Sequence, residues 1–265
     1  MRRLIASLLA AAALAAGPAA AQTGAAQTAP PSGPQAFVAA YGDAIAGADA
    51  TTLTWRDGTR MPLGNPAPRD FATMLRDASL YDQLRLPYPA GAPLAPPPVD
   101  DDPGRFRNTA FFDHLYGDCR RGEVAPHLVP VVWLPRTWGR TVRFTAVAGA
   151  ARALAAVSRA LDALPPAETR MLYPPAGTYV CRAVADTGRR SMHGWGAAID
   201  INTRFADSWY WHPNQRAAPV WHNVIPADIV SIFEAHGFVW GGRWYHYDTM
   251  HFEYRPELFA HLPPD

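Results

Sequence analysis

This chain of 265 residues has few cysteines, few long apolar runs and almost no excess of charge of either sign. The 24 arginines, in a chain without lysine, nearly balance the 23 aspartates and glutamates. Because nucleic acids and anionic membranes select basic surfaces, this balance gives no basis for expecting either as a partner. The two cysteines form no CxxC pair, which argues against a metal site built on cysteine. Composition therefore leaves a globular chain, with 49% apolar residues available for a core.

The N-terminus has three parts in a characteristic order. Arg2 and Arg3 precede an apolar run over residues 4–16, and the small residues Ala19–Ala21 follow. This order predicts a secretory signal peptide over residues 1–21. A membrane anchor is the alternative, but the run is shorter than the ~20 residues that a span needs. We expect an exported mature chain that begins near Gln22, with no membrane span, located in the periplasm or outside the cell.

The only two cysteines are Cys119 and Cys181. An even number of cysteines in an exported protein favours a disulfide bond between them. Two buried free thiols are the alternative.

Changes in composition suggest three further regions. Residues 22–35 are a polar linker rich in Pro and Gly, and residues 36–103 form an N-terminal subdomain with a Pro-rich connector. Residues 104–265 form the main domain. Asp57-Gly58 between two short β-prone runs predicts a hairpin inside the N-terminal subdomain.

The main domain mixes helix and strand patterns without regular alternation. An apolar stripe between Val147 and Leu164 predicts a helix, and a second helix should run from Pro226 to Gly237. Strands are predicted at residues 129–134, 178–182, 197–202 and 251–254. This irregular order favours an α+β fold with a small antiparallel sheet flanked by helices.

The segment Ser191-Met192-His193-Gly194-Trp195-Gly196-Ala197-Ala198-Ile199-Asp200 is the richest in chemistry. A zinc hydrolase uses three protein ligands and one open position, and His and carboxylate side chains are common ligands. The glycines let the chain turn, so that His193 lies on a loop while Asp200 projects from a strand. On that strand Ile199 and Ile201 should face the core, and Asp200 the opposite side.

A third ligand is predicted on a distant strand. In Asp248-Thr249-Met250-His251-Phe252-Glu253-Tyr254, the alternate residues Met250, Phe252 and Tyr254 form an apolar face. His251 and Glu253 then point the other way. Asp248 precedes the strand and can place a carboxylate beside His251 as a general base.

The pattern SxHxxGxAxD followed by acid-x-x-His resembles the zinc D-Ala-D-Ala carboxypeptidase and L-Ala-D-Glu endopeptidase family of cell-wall metallopeptidases. The resemblance covers roughly residues 110–260. It implies a zinc cofactor bound by His193, Asp200 and His251, with Asp248 as the base. It also implies that Arg182 stabilises the oxyanion of the tetrahedral intermediate and that peptidoglycan peptides are the substrate.

One residue departs from part of that family. Asp248 stands where the vancomycin-resistance enzymes carry Glu, which places strict D-Ala-D-Ala specificity in doubt. Ser191 binds substrate or caps a turn, and the alternative for Arg182 is a structural ion pair. His246 is a surface or structural residue, an alternative ligand or a hydrogen-bond donor that supports a ligand. The aromatic segment 203–223 is predicted to form a rim or lid beside the cleft; packing on the core and sugar stacking are its alternatives.

Two functions of other classes remain open at this point. A zinc-containing module could recognise cell-wall peptide without cutting it, although an intact Asp248 argues against this. A purely structural envelope protein would contain no zinc.

Overall fold

The computed structural model describes residues 33–184 and 188–259. The predicted signal peptide and most of the predicted linker, up to residue 32, lie outside the described residues. Within the described ranges, no helix combines the length and the apolar character needed to cross a membrane. Helices and small antiparallel sheets are mixed along the chain, which confirms the predicted α+β class.

The described residues form helices α1 (Gln35–Ala40), α2 (Phe71–Arg76), α3 (Leu80–Gln83), α4 (Thr109–Tyr116), α5 (Ala150–Leu161), α6 (Pro166–Thr169) and α7 (Ala227–Glu234). The strands are β1 (Ile45–Ala48), β2 (Thr52–Trp55), β3 (Arg60–Pro62), β4 (Leu128–Trp133), β5 (Arg140–Thr145), β6 (Ala198–Asp200), β7 (Phe238–Trp240) and β8 (His251–Tyr254). The hairpin predicted around Asp57-Gly58 is formed by β2 and β3.

The strands make three separate antiparallel sheets. One contains β1, β2 and β3 in that order, and a second is the hairpin of β4 and β5. The third has the order β6-β8-β7, so that β8, near the end of the described chain, lies at its centre. This third sheet carries two of the three predicted metal ligands, directly opposite one another.

Two apolar cores lie on opposite sides of the third sheet. Ile199 and Ile201 belong to one core, together with α5 and α7, whereas Ala198 belongs to the other. On β8, Phe252 lies in the first core and stacks on Phe233 of α7, with 3.7 Å between ring centroids. The alternation predicted for both strands is therefore correct. His251 and Glu253 are nevertheless also buried, because a second layer covers their face.

That second layer comes from the N-terminal segment and α4. Phe37 and Trp55 contact Phe111 of α4, with ring centroids 5.0 and 5.3 Å apart. The next residue, Phe112, contacts Trp195 at 5.1 Å. An apolar core thus crosses the boundary predicted at residue 103 and supports the loop that carries His193. The boundary itself stays a prediction.

The strand predicted at residues 178–182 is wrong. Only isolated bridges form here, between Gly177 and Asp200 and between Ala183 and Arg190. The reason is that the partner of this segment is a turn rather than a strand: Val180 N–H donates to the carbonyl of His193. The helix predicted from Val147 is also shorter at its start, because Gly149 adopts φ of +74° just before α5.

A disulfide bond joins Cys119 and Cys181 across 62 residues of sequence. It ties the short turn after α4 to the segment that precedes the His193 loop.

Replacing both cysteines with Ala should lower the free energy of unfolding by about 4 kcal/mol, since the open chain gains conformational entropy when unfolded. Denaturant titration of the zinc-loaded protein measures this difference. Chemical reduction of the unchanged protein should reproduce the loss, and equal stability of both forms would contradict the prediction.

Candidate metal centre

A tight 3₁₀ turn at Met192–Trp195 presents the imidazole of His193. The hydroxyl of Ser191 caps this turn by accepting a hydrogen bond from the backbone N–H of His193 at 3.3 Å. Gly196 ends the turn with φ of +67°, which residues with a side chain rarely adopt. A Cβ at this position would also lie 2.4 Å from Leu128 Cδ2. The glycine therefore leads the chain from the loop into β6, as the motif predicts.

The imidazole of His193 is held in one orientation. Its Nδ1 lies 2.8 Å from the carbonyl oxygen of Thr178, and because a carbonyl can only accept, Nδ1 carries the proton. Nε2 is buried without a hydrogen-bond partner, although Asp200 Oδ2 lies 3.1 Å away. The two atoms are close but poorly aligned for a hydrogen bond. This arrangement suits two ligands that converge on one ion.

Asp200 and His251 are paired directly across β6 and β8. Asp200 Oδ1 lies 2.9 Å from His251 Nδ1. Burial favours the neutral carboxyl, but the imidazoles of His193 and His251 outweigh it and hold the pKa of Asp200 well below its usual range. Burial likewise lowers the pKa of His251, yet hydrogen bonds and charge from Asp200 and Glu253 raise that pKa to about 9. The carboxylate of Asp200 is therefore ionised at neutral pH, as a metal ligand must be.

The donor set fits zinc. Among the described residues, His193, Asp200 and His251 are the one group of three His, Cys, Asp or Glu whose ligand atoms all lie within 4.8 Å of one another. Tetrahedral zinc, with bonds of about 2.0–2.2 Å to nitrogen and oxygen, separates neighbouring ligand atoms by roughly 3.3 Å. The distances of 3.1 and 2.9 Å around Asp200 are close to that value. Two imidazoles and one carboxylate also leave a fourth position open for water or substrate.

Asp248 lies beside this cluster, at the turn that leads into β8. Its Oδ1 is buried and has no hydrogen-bond partner. Burial, together with the negative charge of Asp200, raises the pKa of Asp248 to about 6. Gly241 makes the turn possible, since a Cβ there would lie 2.5 Å from the carbonyl oxygen of Asp248. A carboxyl group in this state can exchange a proton near neutral pH.

Glu253 supports His251 from the other side of its ring. Glu253 Oε2 lies 3.0 Å from His251 Nε2, and Arg255 Nη1 donates to Oε1 at 2.9 Å. Arg107, which precedes α4, forms a second buried ion pair with the same carboxylate. Burial favours the neutral form, but Arg107, His251 and Arg255 keep the pKa of Glu253 well below its usual range. Glu253 thus orients the imidazole and is occupied by partners, which removes it as an alternative base.

Glu253→Gln should weaken zinc affinity by about 10–100-fold, the usual cost of losing the partner that orients a ligating His. The measurement is competition with a zinc chelator of known affinity. Glu257→Gln is the matched control, because Glu257 is buried and pairs with Arg255 but makes no contact with His251. Equal zinc affinity in the two variants would contradict a positioning role for Glu253.

The remaining predicted site residues share one cleft with the cluster. Arg182 and Ser191 line it together with Asp200, Asp248 and His251. The arginine side chain is exposed, and the serine is buried at the cap of the His193 turn. Their roles stay predictions.

His246 also lines this cleft but stands apart from the ligand cluster. Its Nδ1 lies 2.7 Å from Asp102 Oδ2, and its ring packs against Trp209 at 4.8 Å between centroids. The aromatic residues Trp209–Trp211 reach the same cleft, where a rim was predicted. The contacts of His246 with Asp102 and Trp209 are typical of a structural residue.

The supporting contacts were not identified from the sequence. Glu253 offered a signal, because a carboxylate two residues from His251 lies on the same face of a strand. Arg107 offered none, since it is 146 residues from Glu253 in the chain. The carbonyl of Thr178 could not be recognised either, because any residue supplies one.

Residues 185–254 match the model of a protein family described as D-alanyl-D-alanine carboxypeptidase. The matched segment is about a quarter of the chain and contains His193, Asp200, Asp248 and His251. This match supports the resemblance to zinc peptidases that act on cell-wall peptides. Searches of curated proteins and of solved structures gave no match.

Proposed function

We propose that this chain is a zinc-dependent peptidase that hydrolyses amide bonds in the stem peptides of peptidoglycan. The observation that carries the proposal is the convergence of His193, Asp200 and His251 within 4.8 Å, inside the segment that matches the carboxypeptidase family. Asp248, with its unpartnered buried oxygen, lies in the same cleft. Three convergent ligands with a carboxyl group in the same cleft support hydrolysis of an amide as the reaction.

The proposed ligands are His193 through Nε2, His251 through Nδ1 and Asp200 through its carboxylate. The second nitrogen of each imidazole is held, by the carbonyl of Thr178 and by Glu253 respectively. These contacts fix which nitrogen faces the cluster. Zinc bound there supplies Lewis acidity, which makes water acidic enough to ionise near neutral pH and polarises a carbonyl oxygen.

Asp248 has the properties of a general base that later serves as an acid. It takes the proton of the attacking water as the new C–O bond forms at the amide carbon. It then passes that proton to the leaving nitrogen as the C–N bond breaks. A pKa near neutral favours both transfers, because the group is neither too weak a base nor too weak an acid.

Arg182 is proposed to stabilise the negative charge that develops on the substrate carbonyl oxygen. Its side chain lines the cleft that contains Asp248 and His251. A guanidinium remains charged at all relevant pH values and presents donors in a fixed plane. Ser191 lies at the same cleft and combines the turn cap with a contact to bound peptide in this proposal.

The finer substrate is a stem peptide cut at D-Ala-D-Ala or at L-Ala-D-Glu. The family description supports the first bond. Asp248, in place of the Glu of the vancomycin-resistance enzymes, is similar to the endopeptidase branch of the family and favours the second. Export to the periplasm, predicted from the N-terminus, would bring the protein to this substrate.

A metal-bearing module that binds cell-wall peptide without cutting it is the alternative. Release of amine or carboxyl termini from purified peptidoglycan distinguishes the two functions. The peptidase should release them, stop when zinc is chelated and recover when zinc is restored. Tight binding without release in the presence of zinc would contradict the proposed function.

A further inference from the structure

An aromatic rim, Trp209–Trp211, borders the candidate active-site cleft. Trp211 is 49% exposed and Tyr210 is 37% exposed, on a single 3₁₀ turn. All other large hydrophobic side chains exposed in the described ranges are valines. Since tryptophan and tyrosine normally bury much of their area, two neighbouring exposed rings point to a binding surface.

The rim is fixed to the catalytic turn. Ser208 forms a β-bridge with Asp248, and the backbone N–H of Trp209 donates to the carbonyl of Tyr247 at 3.0 Å. The three aromatic residues line the same cleft as Asp200 and His251. A ligand that extends out of the cleft would therefore reach the rings of Tyr210 and Trp211.

The surroundings of the rings are polar. The guanidinium of Arg216 lies 3.9 Å from the ring centroid of Tyr210, and its Nη2 donates to the carbonyl of the same residue at 2.9 Å. Asn214 and Gln215, on the following turn, are exposed. Flat apolar rings beside amide and guanidinium groups suit a pyranose sugar, whose C–H face stacks while its hydroxyl and acetamido groups form hydrogen bonds. An acyl chain offers no hydrogen-bonding groups to these amide and guanidinium groups.

We propose that Tyr210 and Trp211 form a subsite for an N-acetylhexosamine glycan strand, which carries the stem peptide into the cleft. This inference rests on the proposed function, because the stem peptide proposed as the substrate is attached to such a glycan in peptidoglycan. The protein then acts preferentially on stem peptides that are still attached to sugar. The aromatic rim contacts the sugar, in addition to the contacts that the cleft makes with the peptide.

Sugar binding can be measured without catalysis. The probe is a β-1,4-linked N-acetylglucosamine tetramer, titrated into the zinc-loaded protein and followed by calorimetry or NMR. Trp211→Ala should weaken binding about tenfold or more, as loss of a central aromatic contact does. Trp211→Phe should retain most of the affinity, because a flat ring remains. Val132→Ala is the control, since Val132 is 46% exposed on β4 and does not line the cleft.

Unchanged sugar affinity in Trp211→Ala would overturn the subsite. So would Trp211-dependent binding to anionic phospholipid vesicles with no binding of the tetramer, because the rim would then be a membrane contact.

Activity separates this inference from the proposed function. The quantity is the ratio of kcat/KM for a disaccharide-linked stem peptide to kcat/KM for the same peptide without sugar. Trp211→Ala should lower this ratio about tenfold and Val132→Ala should leave it unchanged. Equal ratios in all three proteins would overturn the subsite while leaving the peptidase intact. Trp211-dependent sugar binding with no hydrolysis of either substrate would count against the proposed function and support the subsite.

Discussion

Asp248→Asn should lower kcat on cell-wall peptides by about 10²–10⁴-fold, the usual effect of removing a general base. Asparagine keeps the size of the side chain but cannot accept the proton of the attacking water. Asp248 is not needed to complete the cluster of two imidazoles and one carboxylate, so zinc content should stay near that of the unchanged protein. The measurements are kcat and zinc content on the same preparations.

Two other aspartates make this test specific. Asp200→Asn should lose zinc first and activity as a consequence, because Asp200 lies between both imidazoles. Asp162→Asn should retain kcat, since Asp162 is buried but does not line the cleft. Its carboxylate accepts hydrogen bonds from the backbone N–H groups of Arg136 and Thr137. If Asp248→Asn loses its zinc, Asp248 is a ligand. If it keeps normal turnover, the base is a different group.

His193→Ala and His251→Ala should each abolish stoichiometric zinc binding and, with it, hydrolysis. Each variant removes one of three protein ligands, and the two that remain cannot hold the ion against a chelator. We expect one zinc ion per chain in the unchanged protein and nearly none in either variant after dialysis against a chelator. Elemental analysis of the purified proteins measures this directly.

His246→Ala is the control for the ligand variants. His246 lies in the same cleft but contacts Asp102 and Trp209 rather than the cluster. Its replacement should therefore leave zinc content unchanged. Full zinc occupancy in both His193→Ala and His251→Ala would show that the metal is bound elsewhere.

Local sequence patterns predicted the parts of the site that depend on local geometry. The alternation of Met250, Phe252 and Tyr254 placed His251 on the opposite face of β8, and the structure confirms that placement. The glycines of the motif predicted a turn between His193 and β6, which Gly196 makes at positive φ. These features were accessible because the period of a strand and the freedom of glycine act over a few residues.

Contacts between distant segments were not accessible in this way. Residues 178–182 have strand-forming composition, yet their partner is a turn, so no ladder forms. The pairing of Arg107 with Glu253 joins residues 146 positions apart. The burial of His251 depends on this pairing and on the N-terminal layer. Nothing in the local pattern of β8 indicates such a cover.

The N-terminal segment has a physical role in this arrangement. Phe37 and Trp55 pack on α4, which in turn contacts the His193 loop through Phe112 and Trp195. Gln83 and Tyr41 also bond the carboxylate of Glu257. These contacts exclude water from the side of β8 that carries His251 and Glu253, which strengthens the interactions between their charges.

Mass spectrometry of muropeptides before and after digestion with the zinc-loaded protein tests the central claim most directly. The account predicts new stem-peptide fragments whose masses together exceed that of the substrate by one water. The cut should lie at D-Ala-D-Ala or L-Ala-D-Glu, and the fragments should be absent when Asp248→Asn is used for the same time. If every muropeptide stays intact after prolonged exposure to protein that holds zinc at His193, Asp200 and His251, the chain is not a cell-wall peptidase.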